Sequence, residues 1–213
     1  MNSLSSRPAY KQIRAVYDDR TIRVYQAYSD EIADDALAKG TFVSPLFRMN
    51  RMTWIKPSFL WMMYRSGWGL KDPNQKRILA IDITRQGFEW ALSHSSLSHA
   101  APRRSGGDEE AKFEEHAAPV RIQWDPERDL LLRALGRRTI QIGLSKEAIE
   151  LYVGSWIRRI TDISKLARQI HELVSGNDLK QALALLPAEQ PYHLNASLEE
   201  RLGMCANRTG PGE

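Results

Sequence analysis

The sequence contains a single cysteine, Cys205, and no long uninterrupted run of apolar residues. One cysteine cannot form an internal disulfide, and a membrane-spanning helix needs roughly 18 or more consecutive apolar residues. The opening residues, MNSLSSRPAYKQIR, also lack the apolar core of a secretory signal. We therefore expect a protein of the reducing cytoplasm that has no membrane segment.

Metal-binding and phosphate-binding signatures are also missing from the sequence. The 5 histidines show no ligand spacing, and there is no CxxC or HExxH pattern. No glycine-rich phosphate loop and no serine nucleophile elbow are present. We therefore expect no metal site, and neither a P-loop enzyme nor a serine hydrolase of the elbow type.

Acidic residues are absent between Asp35 and Asp72, and positive charge accumulates there, although the whole chain carries a net charge of only +4. Within this window, basic residues alternate with aromatic rings over RMNRMTWIKPSFLWMMYRSGWG; we call residues 48–71 the basic aromatic segment. One interpretation is a central core helix with a basic rim, which is the commoner use of such a pattern. The other is a platform for an anionic, planar ligand such as a nucleotide or an RNA base. The residues predicted to contact that ligand are Arg51, Trp54, Lys56, Tyr64 and Arg65.

Local patterns predict an α+β fold with a small central sheet. Ser29 and Gly40 are typical of the two ends of a helix over residues 30–39. A second helix over residues 57–65 would place Trp61, Tyr64 and Trp68 on one face. Apolar or alternating stretches predict strands over residues 22–27, 78–83, 120–124 and 139–144.

The chain is predicted to form one domain over residues 12–187, with a C-terminal helical section packed against the sheet. That section includes a helix capped at Thr161. Proline, paired glycines and an acidic block predict a mobile loop over residues 95–118. Residues 1–11 are predicted to be a flexible arm and residues 188–213 a polar tail.

Two carboxylates, Asp125 and Glu127, are the candidate catalytic residues. They follow the predicted strand over residues 120–124, and an Asp-Pro turn is expected to close that strand. Loops at strand ends can direct side chains into a shared cleft. The alternative is that Asp125 merely opens the turn and Glu127 pairs with Arg128 or Arg133.

Four phrases, VYQAYSDEIADDALAKGTF, RMTWIKPSFLWMMYRSGWG, VRIQWDPERD and RTIQIGL, carry a resemblance to a known family. Together they resemble a bacterial and fungal family catalogued only as a domain of unknown function. The resemblance covers roughly residues 10 to 175 and implies a single-domain intracellular protein.

A more distant resemblance concerns the first predicted strand and helix. A strand with a basic residue, a helix and then Gly-x-Phe is similar to the opening of ADP-ribosyltransferase-like folds. That resemblance implies that Arg23 grips NAD, with Gln26 beside it, and that Glu127 supplies the catalytic carboxylate; the Ser-Thr-Ser motif of those folds is absent. For Arg23 and Gln26 the alternative is a solvated strand face.

Three functions remain open from the sequence. The leading hypothesis is a NAD-using transferase that resembles ADP-ribosyltransferases, with an anionic nucleotide as its ligand. The second is a non-catalytic module that binds RNA or another single-stranded nucleic acid through the basic aromatic segment. The third is a structural interaction protein, which follows if Trp54 to Trp68 all lie in the core.

Overall fold

The computed structural model describes residues 10–97 and 118–204, and within them the chain has the predicted α+β class. The strands are β1 Arg14–Ala15, β2 Thr21–Tyr28, β3 Thr53–Ile55, β4 Arg77–Thr84, β5 Ser95–Leu97, β6 Val120–Arg128, β7 Ala134–Leu144, β8 Ile157–Asp162 and β9 Gln190–Pro191. The helices are α1 Asp30–Lys39, α2 Phe59–Ser66, α3 Arg85–Ser93, α4 Glu147–Leu151, α5 Ser164–Ser175, α6 Leu179–Ala184 and α7 Ala196–Arg201, and a π-helical turn, Tyr152–Trp156, continues α4.

The strands form several small sheets where the sequence predicted one. One sheet has the antiparallel order β2-β4-β8, and a second has the order β3-β7-β6-β5, in which β5 and β6 are parallel. A short pair, β1-β9, forms the third. The Tyr25 backbone N–H donates to the Lys56 carbonyl at 2.7 Å, so β2 adjoins the residue that follows β3. The two larger sheets therefore meet within the basic aromatic segment, at Lys56.

The alternation of β2 sends its side chains into two separate apolar clusters. Ile22 and Val24 are buried with Ile81 on one face of the β2-β4-β8 sheet. Tyr25 is buried on the other face, where it packs with Phe59 of α2. Because both faces are covered, the edge of β2 and the start of α2 are held in fixed positions relative to each other.

Helix α2 begins at Phe59, two residues after the start of the predicted helix over residues 57–65, and ends at Ser66. Local chemistry sets both of its ends. Ser58 Oγ accepts a hydrogen bond from the Trp61 backbone N–H at 3.2 Å, which caps the first turn. Gly67, at φ +56°, ends the helix in the left-handed conformation. Trp68 also has a positive φ and turns towards His171, so it does not share a face with Trp61 and Tyr64 as predicted.

The predicted Asp-Pro turn after residue 124 is wrong, because β6 continues through Asp125 and Pro126 to Arg128. The chain reverses instead at Asp129, whose backbone N–H donates to the Arg133 carbonyl at 3.0 Å. A register shift between Pro126 and Arg128 accommodates the proline in the strand, since proline cannot donate a ladder hydrogen bond.

The helix predicted from Thr161 begins later, at Ser164, because residues 157–162 form strand β8. This strand is an edge strand that pairs only with β4 in its sheet. Arg158 and Arg159 are exposed, and the strand therefore lacks the regular alternation that would reveal it in the sequence.

The boundaries of the predicted arm, loop and tail are only partly covered by the described residues. Residues 1–9, 98–117 and 205–213 lie outside them. At the N-terminal side, Lys11 forms a β-bridge with Arg138, so the arm is already attached there. The predicted polar tail contains β9 and α7, and its Tyr192 is buried against Tyr17 and Phe88. The sequence did not reveal this packing, because the apolar residues of this segment are widely spaced among polar ones.

Candidate functional site

A cleft of about 880 Å³ lies where the basic aromatic segment meets both larger sheets. Its lining residues come from the end of β2 and the start of α1, from β3, α2, β6 and β7, and from residues 46–52 and 72–75. The residues used below that line it are Gln26, Glu31, Arg48, Arg51, Met52, Thr53, Trp54, Lys56, Arg65, Asp72, Asn74, Gln75, Gln123 and Gln141.

Four basic residues of the segment converge on this cleft. Arg48, Arg51 and Arg65 are exposed, whereas Lys56 is buried. None of the four forms an ion pair within residues 10–97 and 118–204. Cationic groups that have no carboxylate partner are available to bind an anion.

The acidic side chains among the described lining residues are fewer, namely Glu31 and Asp72. Both oxygens of Asp72 are used by the turn that it begins: one accepts from the Asn74 backbone N–H at 2.9 Å and the other from Gln75 Nε2 at 3.3 Å. The basic residues of the lining therefore outnumber its acidic residues by four to two.

The Trp54 indole forms part of the wall because β7 has a glycine opposite it. Trp54 pairs with Gly143 across β3 and β7. A Cβ atom at Gly143 would lie 3.0 Å from two atoms of the indole ring and 2.7 Å from Met52 Sδ. The missing side chain thus lets the flat ring lie against the backbone of β7, and Trp54 is one of the residues that line the cleft.

Gln26 is a buried wall residue whose amide is held at both ends. Its Nε2 donates to Thr53 Oγ1 at 2.7 Å, and its Oε1 accepts from the Tyr152 hydroxyl at 2.8 Å. The side chain points to the interior of the protein, so the solvated strand face that the sequence left open does not apply to Gln26.

Lys56 is the buried cation of the cleft, with 6% of the residue exposed. Its Nζ donates to the Trp54 carbonyl at 3.1 Å. Burial, reinforced by the nearby charge of Arg65, lowers the pKa of Lys56 from 10.5 to about 7, while the negative charge of Asp125 opposes this shift. Near neutral pH the amine is therefore present in both its charged and its neutral form.

Asp125 is connected to the cleft through the glutamines of β6 and β7. Gln141 Nε2 donates to Asp125 Oδ2 at 2.7 Å and to Gln123 Oε1 at 2.9 Å, so the three side chains share one face of the sheet. Burial raises the pKa of Asp125, although the Gln141 hydrogen bond and the charges of Arg138 and Lys56 act against the rise. Asp125 is the carboxylate of the two candidates that interacts electrostatically with Lys56.

Glu127 belongs to a different environment, at the N-terminus of α2. It is buried and accepts hydrogen bonds from Ser58 Oγ at 2.8 Å and from the Arg128 backbone N–H at 2.9 Å. A second carboxylate, Glu189, accepts from the Phe59 backbone N–H at 2.6 Å. Burial raises the pKa of Glu189 to about 8 against that hydrogen bond, and the negative charge of Glu127 adds to the rise. The two acids therefore fasten β6 and the C-terminal segment to α2.

Arg23 and Tyr64 lie outside the described lining of the cleft. Arg23 forms a two-pronged pair with Asp82 of β4, with Nε–Oδ1 and Nη2–Oδ2 distances of 2.7 and 3.0 Å. Tyr64 is 42% exposed and stacks on Trp61, and the Arg128 guanidinium lies 3.5 Å from the centre of its ring. The structure thus brings Gln26, Arg51, Trp54, Lys56 and Arg65 together, but not these two residues.

The family of the chain follows from a comparison with models of known protein families. A family model described as Domain of unknown function (DUF4291) matches residues 12–192. The chain belongs to this family. No curated protein matches the chain.

The DUF4291 match spans every element that builds the cleft, from β2 to β7. Within the described part of this DUF4291 chain, no helix has both the length and the apolar character needed to cross a bilayer. The same residues contain no group of three or more His, Cys, Asp or Glu side chains placed to hold a metal ion.

Sequence reasoning missed several side chains of this site. Gln123 and Gln141 occupy polar positions in strands where apolar and polar residues alternate. This pattern could have placed both side chains on the face of a cleft. Arg48 also lies in the basic aromatic segment, and no local feature of the sequence distinguishes it from Arg51. Ser58 and Glu189 gave no signal, because their partners lie 69 and 130 residues away in sequence.

Proposed function

We propose that this DUF4291 protein binds an anionic nucleotide in the cleft and acts on it as a NAD-type transferase. The observation that carries the proposal is the convergence of Arg48, Arg51, Lys56 and Arg65 on one cleft without ion-pair partners in the described residues. The similarity of the first strand and helix to ADP-ribosyltransferase-like folds is what specifies NAD among nucleotides.

The size and the chemistry of the cleft suit such a ligand. Small-molecule sites usually have volumes of about 300–1,000 Å³, and about 880 Å³ falls within that range. A guanidinium binds two phosphate oxygens at once, which favours Arg51 and Arg65 as the groups that hold a pyrophosphate. The Trp54 indole offers a flat surface on which a base or a nicotinamide ring can stack.

The transferase chemistry would use Asp125. Breaking the bond between nicotinamide and ribose develops positive charge on the sugar, and a nearby carboxylate stabilises that charge. In this proposal Asp125 takes the role that the sequence gave to Glu127, because Glu127 is held by Ser58 at the start of α2. Likewise Arg51 and Arg65 replace Arg23, whose guanidinium is occupied by Asp82.

Binding is tested by removing two cleft charges together. We expect Arg51→Gln with Arg65→Gln to weaken NAD binding by about 100-fold or more, because the variant loses two charge-assisted hydrogen bonds and each costs about 1.5–3 kcal/mol when it is not replaced. Isothermal calorimetry gives the affinity, and the melting temperature at millimolar NAD gives an independent measure.

The matched control is Arg158→Gln with Arg168→Gln, which removes the same charge from exposed positions outside the described lining. This control should bind NAD as the wild type does. Equal weakening in both double variants would mean that only net charge matters. No heat and no melting shift with the wild type would refute NAD as the ligand.

Turnover is tested at Asp125. We expect Asp125→Asn to keep NAD affinity and to slow nicotinamide release about 100-fold or more, because the amide still accepts from Gln141 but carries no negative charge. Chromatographic detection of nicotinamide is the measurement. Asp19→Asn, at an exposed position, is the matched control and should release nicotinamide at the wild-type rate. Equal rates in wild type and Asp125→Asn would remove Asp125 from the mechanism.

The second candidate function is binding of single-stranded RNA. The exposure of Arg48 and Arg51 beside Trp54 favours it, because backbone phosphates and a stacked base could use these groups together. RNA affinity would then fall steeply as salt rises, since binding releases counterions. Gel shifts at low and high salt with the same two double variants distinguish this function from NAD binding.

A further inference from the structure

Lys56 differs from the three arginines with which it shares the cleft. Arg48, Arg51 and Arg65 are exposed, whereas Lys56 is buried and lines the interior of the same cleft. Its amine donates to one backbone carbonyl, that of Trp54, and pairs with no carboxylate in the described residues. A lysine that only holds phosphate would gain nothing from this burial, because desolvation disfavours the charged form that attracts the anion.

We propose that Lys56 is a nucleophilic amine that forms an imine with the carbonyl carbon of a phosphate-bearing aldehyde or ketone. Lysines that act in this way are typically desolvated or placed next to another cation. Lys56 meets both conditions, because it is buried and Arg65 is close enough for its charge to act on the amine.

The surrounding side chains determine which carbonyl compounds fit. Arg48, Arg51 and Arg65 would hold a phosphate or pyrophosphate, and Trp54 would contact a ring or the carbon skeleton. The open-chain form of a ribose phosphate belongs to this class of ligand, and so does a phosphorylated aromatic aldehyde. The inference rests on the proposed function only in that the same arginines are used to hold phosphate.

The chemical step is balanced without a further reactant. The neutral Lys56 amine adds its lone pair to the carbonyl carbon, and a proton moves from nitrogen to oxygen to give a carbinolamine. Loss of one water molecule then leaves a protonated imine, in which the lysine nitrogen is bound to the former carbonyl carbon. The departing hydroxyl takes up one proton from solvent and leaves as that water molecule.

The charge state of Lys56 makes the step feasible near neutral pH. A lysine with a pKa of about 7 is half neutral at pH 7. An ordinary lysine, with a pKa of about 10.4, has fewer than about one neutral amine in a thousand at that pH. Lys165 and Lys180 lie at exposed positions of this chain and serve as internal references for reactivity in the same sample.

The test uses pyridoxal 5′-phosphate as the probe, with sodium borohydride to reduce any imine to a stable secondary amine. Tryptic digestion and mass spectrometry then locate the adduct. The peptide over residues 52–65 contains Lys56 as its only lysine, and Pro57 prevents cleavage after it, so the assignment is unambiguous. We expect this peptide to be modified at pH 7 at least about 10-fold more than peptides with exposed lysines.

Three further measurements separate the contributions of the phosphate of the probe, of the two arginines and of Lys56 itself. Pyridoxal, which lacks the phosphate, should modify Lys56 at least about 10-fold less than the phosphorylated probe, in line with lost charge-assisted bonds. Arg51→Gln with Arg65→Gln should abolish that preference. Lys56→Met should leave peptide 52–65 unmodified while exposed lysines react as before.

Modification of exposed lysines with an unmodified Lys56, for both probes at pH 7, would overturn the proposal. A melting shift with NAD is recorded on the same protein, so that the two ideas can fail separately. A NAD shift without Lys56 modification refutes the amine and leaves the nucleotide site. Modification of Lys56 without any nucleotide shift refutes the proposed function and supports the amine.

Discussion

Replacing Lys56 with methionine is expected to raise the melting temperature, and to raise it more at pH 6 than at pH 9.5. The pKa of Lys56 falls from 10.5 in the unfolded chain to about 7 in the fold. Between these values the unfolded chain holds a proton that the folded chain lacks, so stability rises with pH across this window. Below pH 7 the fold carries the full cost of a buried charge, on the order of 3–5 kcal/mol for a shift of this size.

Methionine is unbranched like lysine, one side-chain atom shorter and uncharged, so the variant avoids that cost at every pH. The Trp54 carbonyl loses the Lys56 donor but still accepts from Gln26 Nε2 at 3.3 Å. Thermal melts of wild type and variant at both pH values are the measurement. Lys165→Met, at an exposed position of α5, is the matched control and should change the melting temperature little at either pH. A gap between wild type and Lys56→Met that stays constant with pH would show that the amine is not desolvated.

Elements that are fixed by local chemistry could be predicted closely from the sequence. The predicted helix over residues 30–39 matches α1, and Gly40 ends it at φ +70° as expected, although the Ser29 side chain forms no cap hydrogen bond at its start. Strand β8 could not be predicted, since its pairing with β4 joins residues about 80 positions apart and its own pattern is irregular. The continuation of β6 past Pro126 was hidden for a similar reason, because β7 determines it from across the hairpin.

The candidate site was only partly accessible from the sequence. The acid-free window led to Arg51, Trp54, Lys56 and Arg65, and the structure places all four in one cleft, where their role stays a prediction. The pairing of Arg23 with Asp82 could not be seen in the sequence, because Asp82 lies 59 residues further along the chain. Charge composition shows where cations accumulate, but only tertiary contacts show which of them already have a partner.

The two sequence interpretations of the basic aromatic segment apply to different residues of it. Phe59, Trp61 and Trp68 are buried, as a core helix requires. Arg51 and Trp54 line the cleft, as a ligand platform requires. The division follows burial and not position in the chain, because Arg65 of α2 also lines the cleft although it lies after Phe59 and Trp61. Substitutions in the two groups should therefore affect different properties.

Trp61→Ala is expected to cost about 3–5 kcal/mol of unfolding free energy, because it removes a buried indole from the side of α2. Tyr64→Ala should cost only about 1 kcal/mol, since Tyr64 is 42% exposed and loses mainly its stacking on Trp61 and its contact with Arg128. Both values come from denaturant melts followed by circular dichroism.

Trp61→Phe separates loss of core packing from loss of the fold. Within the described residues the Trp61 indole N–H has no acceptor, so phenylalanine keeps an apolar ring and removes an unsatisfied donor. This variant should stay folded and bind NAD as the wild type does, because Trp61 is not part of the described lining of the cleft. If Trp61→Ala were no more costly than Tyr64→Ala, or if Trp61→Phe lost NAD binding with its fold intact, Trp61 would be part of the ligand platform and not of the core.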